Sequence, residues 1–108
     1  MSNHNPVEVR ISRSEEIILG LLIHHKTELY GAQLVSLSEA RISRGSIYVT
    51  LDRMEEKGLV RSRPEEKDPT RSGVPRRLYQ PTGLGMRSFN ETMRARQVIY
   101  GAILPNPI

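Results

Sequence analysis

Cysteine is absent from the 108 residues. That excludes disulfides, thiolate metal sites and cysteine nucleophiles, and nothing points to an oxidising compartment, so a reducing cytoplasm is the expected location. Long apolar runs are also missing. The longest, residues 17–23, is interrupted by Gly20 and falls far short of the roughly 20 residues needed to span a bilayer. Residues 1–6 are polar and carry no signal-peptide pattern, so neither a membrane nor export is expected.

Catalytic and metal-binding patterns are lacking too. His4, His24 and His25 have no second cluster at metal-ligand spacing, and the adjacent pair would point in different directions on a helix. No nucleophile stands beside a base in a recognisable motif, and no glycine-rich loop follows a strand. Neither an enzyme nor a cofactor-dependent protein is expected.

What is present is an ordinary folding composition, 37% hydrophobic and 26% charged, with 16 Lys and Arg against 12 Asp and Glu. A formal charge of +4 favours a polyanionic partner. A domain of this size buries only about 60 to 70 per cent of its unfolded surface, so a second subunit would help its stability.

Residues 1–11 read as a flexible arm with a short alternating stretch. Ser12 and Glu15 then form a capping-box pattern, and Ile17, Ile18, Leu21 and Leu22 recur at helical spacing, which predicts a first helix over 13–25. Tyr30, Leu34 and Leu37 predict a short second helix near 30–39. After a turn at 40–42, Ser43 is a good N-cap for a third helix with Ile47, Leu51 and Met54 on one stripe, ending at Gly58. From 59 the period changes to two, residues 64–75 are rich in charge, Pro and Gly, and 76–80 resume an extended pattern, so a two-stranded hairpin with a long tip is expected. Pro81 and Thr82 begin a last helix to about 104, and residues 105–108 are a tail.

Three short helices followed by a β-ribbon describe a winged helix-turn-helix. The expected class is α+β, mainly α, with a winged helix-turn-helix over 12–81 and a C-terminal dimerisation helix over 82–104. In such a fold the third helix enters the major groove of double-stranded DNA. Its candidate contacts are Ser43, Arg44, Gly45, Ser46, Tyr48, Thr50 and Arg53: guanidinium groups for phosphate or guanine, hydroxyls for phosphate or base edges, and a glycine for close backbone approach. The hairpin from 61 to 77 carries a net charge of +3, and Lys67, Arg71, Arg76 and Arg77 are its candidate phosphate contacts.

Plainer roles exist for each group. Ser43 serves as a cap, Ser46 and Thr50 as solvated hydroxyls, Arg53 as a partner of Glu56, and the hairpin as a solvated loop. Tyr48 lies at the edge of the apolar stripe and Tyr79 in a strand beside the core. On the last helix Met86, Phe89, Met93, Tyr100 and Ile103 make a stripe that suits a homodimer seam, with an intramolecular core stripe as the alternative. A winged-helix module that binds protein rather than DNA is the alternative function.

Four segments carry a resemblance: ILGLL at 18–22, YGAQL at 30–34, SRGSIYVTLDRMEEKGLV at 43–60 and RRLYQPTGLG at 76–85. Over about residues 16–89 the sequence resembles the PadR-like transcriptional regulators, in a short form with a single C-terminal helix. The resemblance implies a homodimeric repressor that binds a palindromic operator and is released by a small-molecule effector or another signal. Two positions depart from the family pattern: Val49 stands where proline is usual, and Pro81 where leucine is usual. Tryptophan is absent, and only Phe89 and Tyr100 bring aromatic rings to the last helix, so the flat drug pocket of some relatives is not expected.

Overall fold

The computed structural model describes residues 10–66, 70, 73 and 75–103. Most of the expected N-terminal arm, the tail at 105–108 and the wing residues Lys67 and Arg71 lie outside the described residues. Along the chain come α1 (Arg13–His25), β1 (Leu29–Tyr30), α2 (Gly31–Leu37), α3 (Arg44–Glu56), β2 (Val60–Pro64), β3 (Arg77–Pro81) and α4 (Gly83–Ile103).

The predicted first helix forms with its capping box. Ser12 Oγ accepts from the Glu15 amide at 3.2 Å, and Glu15 Oε1 accepts from the Ser12 amide at 2.8 Å. The expected second helix is shorter and later than read, because Leu29 and Tyr30 form a strand. Two residues are too few for a period to show. That strand matters: the sheet has three strands in the order β1-β3-β2, all antiparallel, and Leu29 pairs with Tyr79 while Ser62 pairs with the same residue from the other side.

The core gathers Ile18, Leu19 and Leu22 of α1, Leu34 of α2, Ile47, Leu51 and Met54 of α3, and Leu29, Leu59, Val60 and Tyr79 around the sheet. Burial raises the Tyr79 phenol above its ordinary pKa. The turn between α2 and α3 is held by buried Ser38, whose Oγ donates to the Val35 carbonyl at 2.8 Å and accepts from the Ile42 amide at 3.1 Å. Glu39 and Ala40 follow it with positive φ, 53° and 69°.

Two glycines fix the approach of α4. Gly58 turns the chain out of α3 at φ +80°, a region that costs other residues about 1 kcal/mol or more. At Gly85 an added Cβ would lie 2.0 Å from the Leu59 carbonyl oxygen, so only a hydrogen fits there. Thr82 joins the two corners: its hydroxyl donates to the Gly58 carbonyl and accepts from the Gly85 amide. The last helix therefore starts at Gly83, with Thr82 as its cap.

The first turn of α1 holds two adjacent buried carboxylates. Glu15 takes Lys57 Nζ, from the end of α3, on both oxygens at 2.9 Å. Glu16 takes Arg96 of α4 on both oxygens at 2.6 Å and Arg13 at 3.1 Å. The Arg96 hydrogen bond holds the Glu16 carboxyl below its ordinary pKa.

Candidate nucleic-acid interface

Helix α3 buries Ile47, Thr50, Leu51 and Met54. At about 100° per residue, the direction opposite that stripe falls on Gly45, Val49, Asp52 and Glu56. Ser46 and Arg53 lie on one flank, and Arg44, Tyr48 and Glu55 on the other, all exposed. The expected face is thus present with one correction. Thr50 is only 8% exposed, and its hydroxyl turns back to donate to the Ser46 carbonyl at 2.9 Å. It faces the core side, where it cannot double as a groove contact.

Ser43 does cap the helix. Its Oγ accepts from the Ser46 amide at 3.2 Å and lies 3.0 Å from Ser46 Oγ. The first turn of α3 contains no acid, so the partial positive charge of its amide end is unopposed by a side chain. Among the described residues Arg44 and Arg53 form no ion pair, so the alternative pairing of Arg53 with Glu56 is not made. Acids appear only in the second half, at Asp52, Glu55 and Glu56. Charge therefore divides the exposed face into an amino-terminal half suited to an anion and a carboxy-terminal half that repels one.

Tyr48 is 55% exposed, outside the core, yet its ring is seated. A Cβ added at Gly31 would lie 2.6 Å from a Tyr48 ring carbon, so α2 offers bare backbone for the ring to rest on. The hydroxyl lies over the same glycine, 2.9 Å from such a Cβ.

In the wing, the two adjacent arginines have different fates. Arg76 is half-buried, forks onto Glu65 at 3.1 and 2.9 Å, and stacks over the Tyr30 ring with 3.9 Å to its centroid. The Glu65 hydrogen bond raises its pKa further. Its charge is already matched, which removes the reason for preferring it as a phosphate contact. Arg77 is exposed; its Nε donates to Ser62 Oγ at 2.9 Å, and that hydroxyl donates to Glu55 at 2.8 Å.

Arg77, Ser62 and Glu55 so form a chain of hydrogen bonds from wing to α3. The strand period could have supplied this link, because alternation along β2 puts Ser62 opposite Arg61 and Arg63 in facing. Arg63 is held by Glu28, with Nη2 at 2.6 Å, and that hydrogen bond lowers the Glu28 pKa.

The proposed seam on α4 divides in two. Phe89 packs against the core, its ring over Gly20 of α1, where an added Cβ would lie 3.3 Å away. Met93 is half-buried and Met86 exposed. Beyond Arg96 the helix leaves the body, and Val98, Ile99 and Tyr100 are all exposed; Ile103 ends it. Val98 and Ile99 escaped the three-and-four spacing because that stripe follows the α1-facing side.

Over residues 18–91 the sequence matches the Transcriptional regulator PadR-like family. The chain belongs to that family. PadR-like proteins are transcriptional regulators, not enzymes, and this chain carries their winged-helix DNA-binding fold. No curated protein matches it in sequence.

Among solved structures it is similar to a PadR family transcription regulator from Clostridium difficile, with 23% identity and a TM-score of 0.70 over 85% of this chain and 95% of that one. A PadR-like transcription factor from Bacteroides fragilis shares 27% identity at a TM-score of 0.69, over 82% and 84% of the two chains. Bacillus subtilis PadR, solved in complex with operator DNA, shares 21% identity at a TM-score of 0.63; 87% of this chain aligns with 49% of that one. Among the described residues no helix of this PadR-like chain is long and apolar enough to cross a membrane.

Proposed function

We propose that this PadR-like regulator binds a palindromic operator as a homodimer and represses transcription from it. The observation that carries the reading is the division of α3: Ser43, Arg44, Gly45, Ser46 and Tyr48 stand exposed around an amide end free of acids, with Arg77 tied to the same helix through Ser62 and Glu55. Such a helix end suits phosphate and base edges together, and Arg77 suits the flanking backbone. Arg53, farther along, stands exposed on the flank of the helix just after Asp52, and its guanidinium suits a phosphate or a guanine edge. The operator complex of the Bacillus subtilis relative supports the same use of the fold here.

Dimerisation is supported by α4. Val98, Ile99 and Tyr100, exposed beyond the last tie to α1, form an apolar helix end that a second copy would cover. A two-fold pair of recognition helices then calls for a two-fold operator. A reporter placed behind the protein's own upstream DNA tests the repressor assignment. Expression should fall when the protein is supplied; an unchanged or raised output would refute repression. Sedimentation of the purified chain tests the dimer, with a monomer at micromolar concentration as the refuting result.

A further inference from the structure

We infer that Val49 reads the C5-methyl group of a thymine in the major groove, and so fixes one base pair in each half-site. The inference rests on the reading of α3 as the groove helix. Val49 is 57% exposed and sits opposite the buried stripe of Ile47, Leu51 and Met54, at the level where the amino-terminal half of the helix meets its acidic half.

Its surroundings leave its two methyl groups uncovered. One turn before it stands Gly45, which projects no side chain. Ser46 is turned back onto Ser43, its Oγ 3.0 Å from the Ser43 hydroxyl and 3.4 Å from the Ser43 carbonyl oxygen. Thr50 is folded onto Ser46, and Tyr48 rests on Gly31. The neighbouring hydroxyls thus turn onto one another or onto α2, the charged Asp52 and Arg53 stand one turn farther on, and between them Val49 presents the apolar atoms of this part of the face.

A valine is an unfavourable choice there for a helix left in water, both for its restricted rotamer and for its exposed hydrocarbon. In the major groove it has a use. The groove edge presents acceptors, amino donors and one apolar feature, the thymine methyl. Valine can neither donate nor accept a hydrogen bond, so of these features only the methyl rewards it.

The test begins by selecting sites from a random pool of unmodified duplex with the full chain, giving a consensus. Each thymine of that site is then replaced singly by deoxyuridine, which removes only the methyl group, and affinities are measured for wild type and Val49→Ala. Position 49 is exposed and alanine is the better helix former, so folding is preserved.

The expected result is one thymine per half-site at which deoxyuridine weakens wild type about fourfold, the worth of one buried methyl, and leaves Val49→Ala unaffected. A consensus with no such thymine, or an equal loss in both proteins, would overturn the inference while sparing the groove-helix reading. A selection that yields no consensus would overturn both.

Discussion

Arg96 of α4 reaches both carboxylate oxygens of Glu16 in α1, at 2.6 Å each, across 80 residues of chain. Among the described residues this is the last ion pair between α4 and α1, and the exposed apolar residues Val98, Ile99 and Tyr100 begin just beyond it. The Arg96 hydrogen bond holds the Glu16 carboxyl below its ordinary pKa. A depressed carboxyl contributes stability that is present above its unfolded pKa and lost as pH falls through the folded value. Arg96→Gln should therefore melt below wild type at pH 7, with the gap narrowing as pH falls through the ordinary carboxylate range and below it. Thermal melts at pH 7, 5 and 3 check this, and a constant gap would contradict it.

Gly31 and Tyr48 should couple in sign as well as size. Gly31→Ala places a Cβ 2.6 Å from the Tyr48 ring and should destabilise the wild type and weaken DNA binding. In a Tyr48→Ala background the clash is gone, and alanine in a helix is favoured over glycine by up to about 1 kcal/mol. The double variant should then be more stable than Tyr48→Ala alone. Denaturant unfolding of the four proteins closes the cycle.

Ser38→Ala should cost about 1 to 3 kcal/mol, because it leaves the buried Ile42 amide without its acceptor in the turn that sets α2 against α3. Chemical denaturation measures it. A loss below a few tenths of a kcal/mol would mean that water takes over the bond.

The two wing arginines should separate in their salt dependence. Arg77→Gln should weaken operator and random DNA alike and reduce the slope of log affinity against log salt by about one. Ser62→Ala, which removes the hydroxyl that holds Arg77 in place and links it to Glu55, should weaken both DNAs in the same way by a smaller factor. Arg76→Gln should leave the slope nearly unchanged, because its charge is already matched by Glu65. Anisotropy titrations at several salt concentrations distinguish the three.

Much of this was legible in the sequence, and for physical reasons. Helices with a sustained apolar period and a capping residue, α1 after Ser12 and α3 after Ser43, are written in local order, and both appear with the expected caps. The two-residue strand Leu29–Tyr30 has no period of its own and exists because β3 offers an open edge. The wheel of α3 placed Gly45, Ser46, Val49 and Arg53 on the exposed side with Thr50 flanking, and all but Thr50 are exposed; Thr50 sits near the margin, where packing rather than spacing decides burial. Side-chain pairing was the least legible. Nothing local distinguishes Arg76 from Arg77, and only the fold brings Glu65 to one and Ser62 to the other. Likewise the spacing of Phe89 and Tyr100 suggested one seam, whereas contact with α1 divides it.

Whether the amino-terminal half of α3 recognises a DNA sequence is decided by an anisotropy titration of the full chain on its own upstream DNA and on a shuffled control. At physiological salt the native sequence should bind roughly a thousandfold or more tighter than the control. Equal affinities that vanish together as salt rises would contradict it, leaving only the attraction of a basic surface for a polyanion.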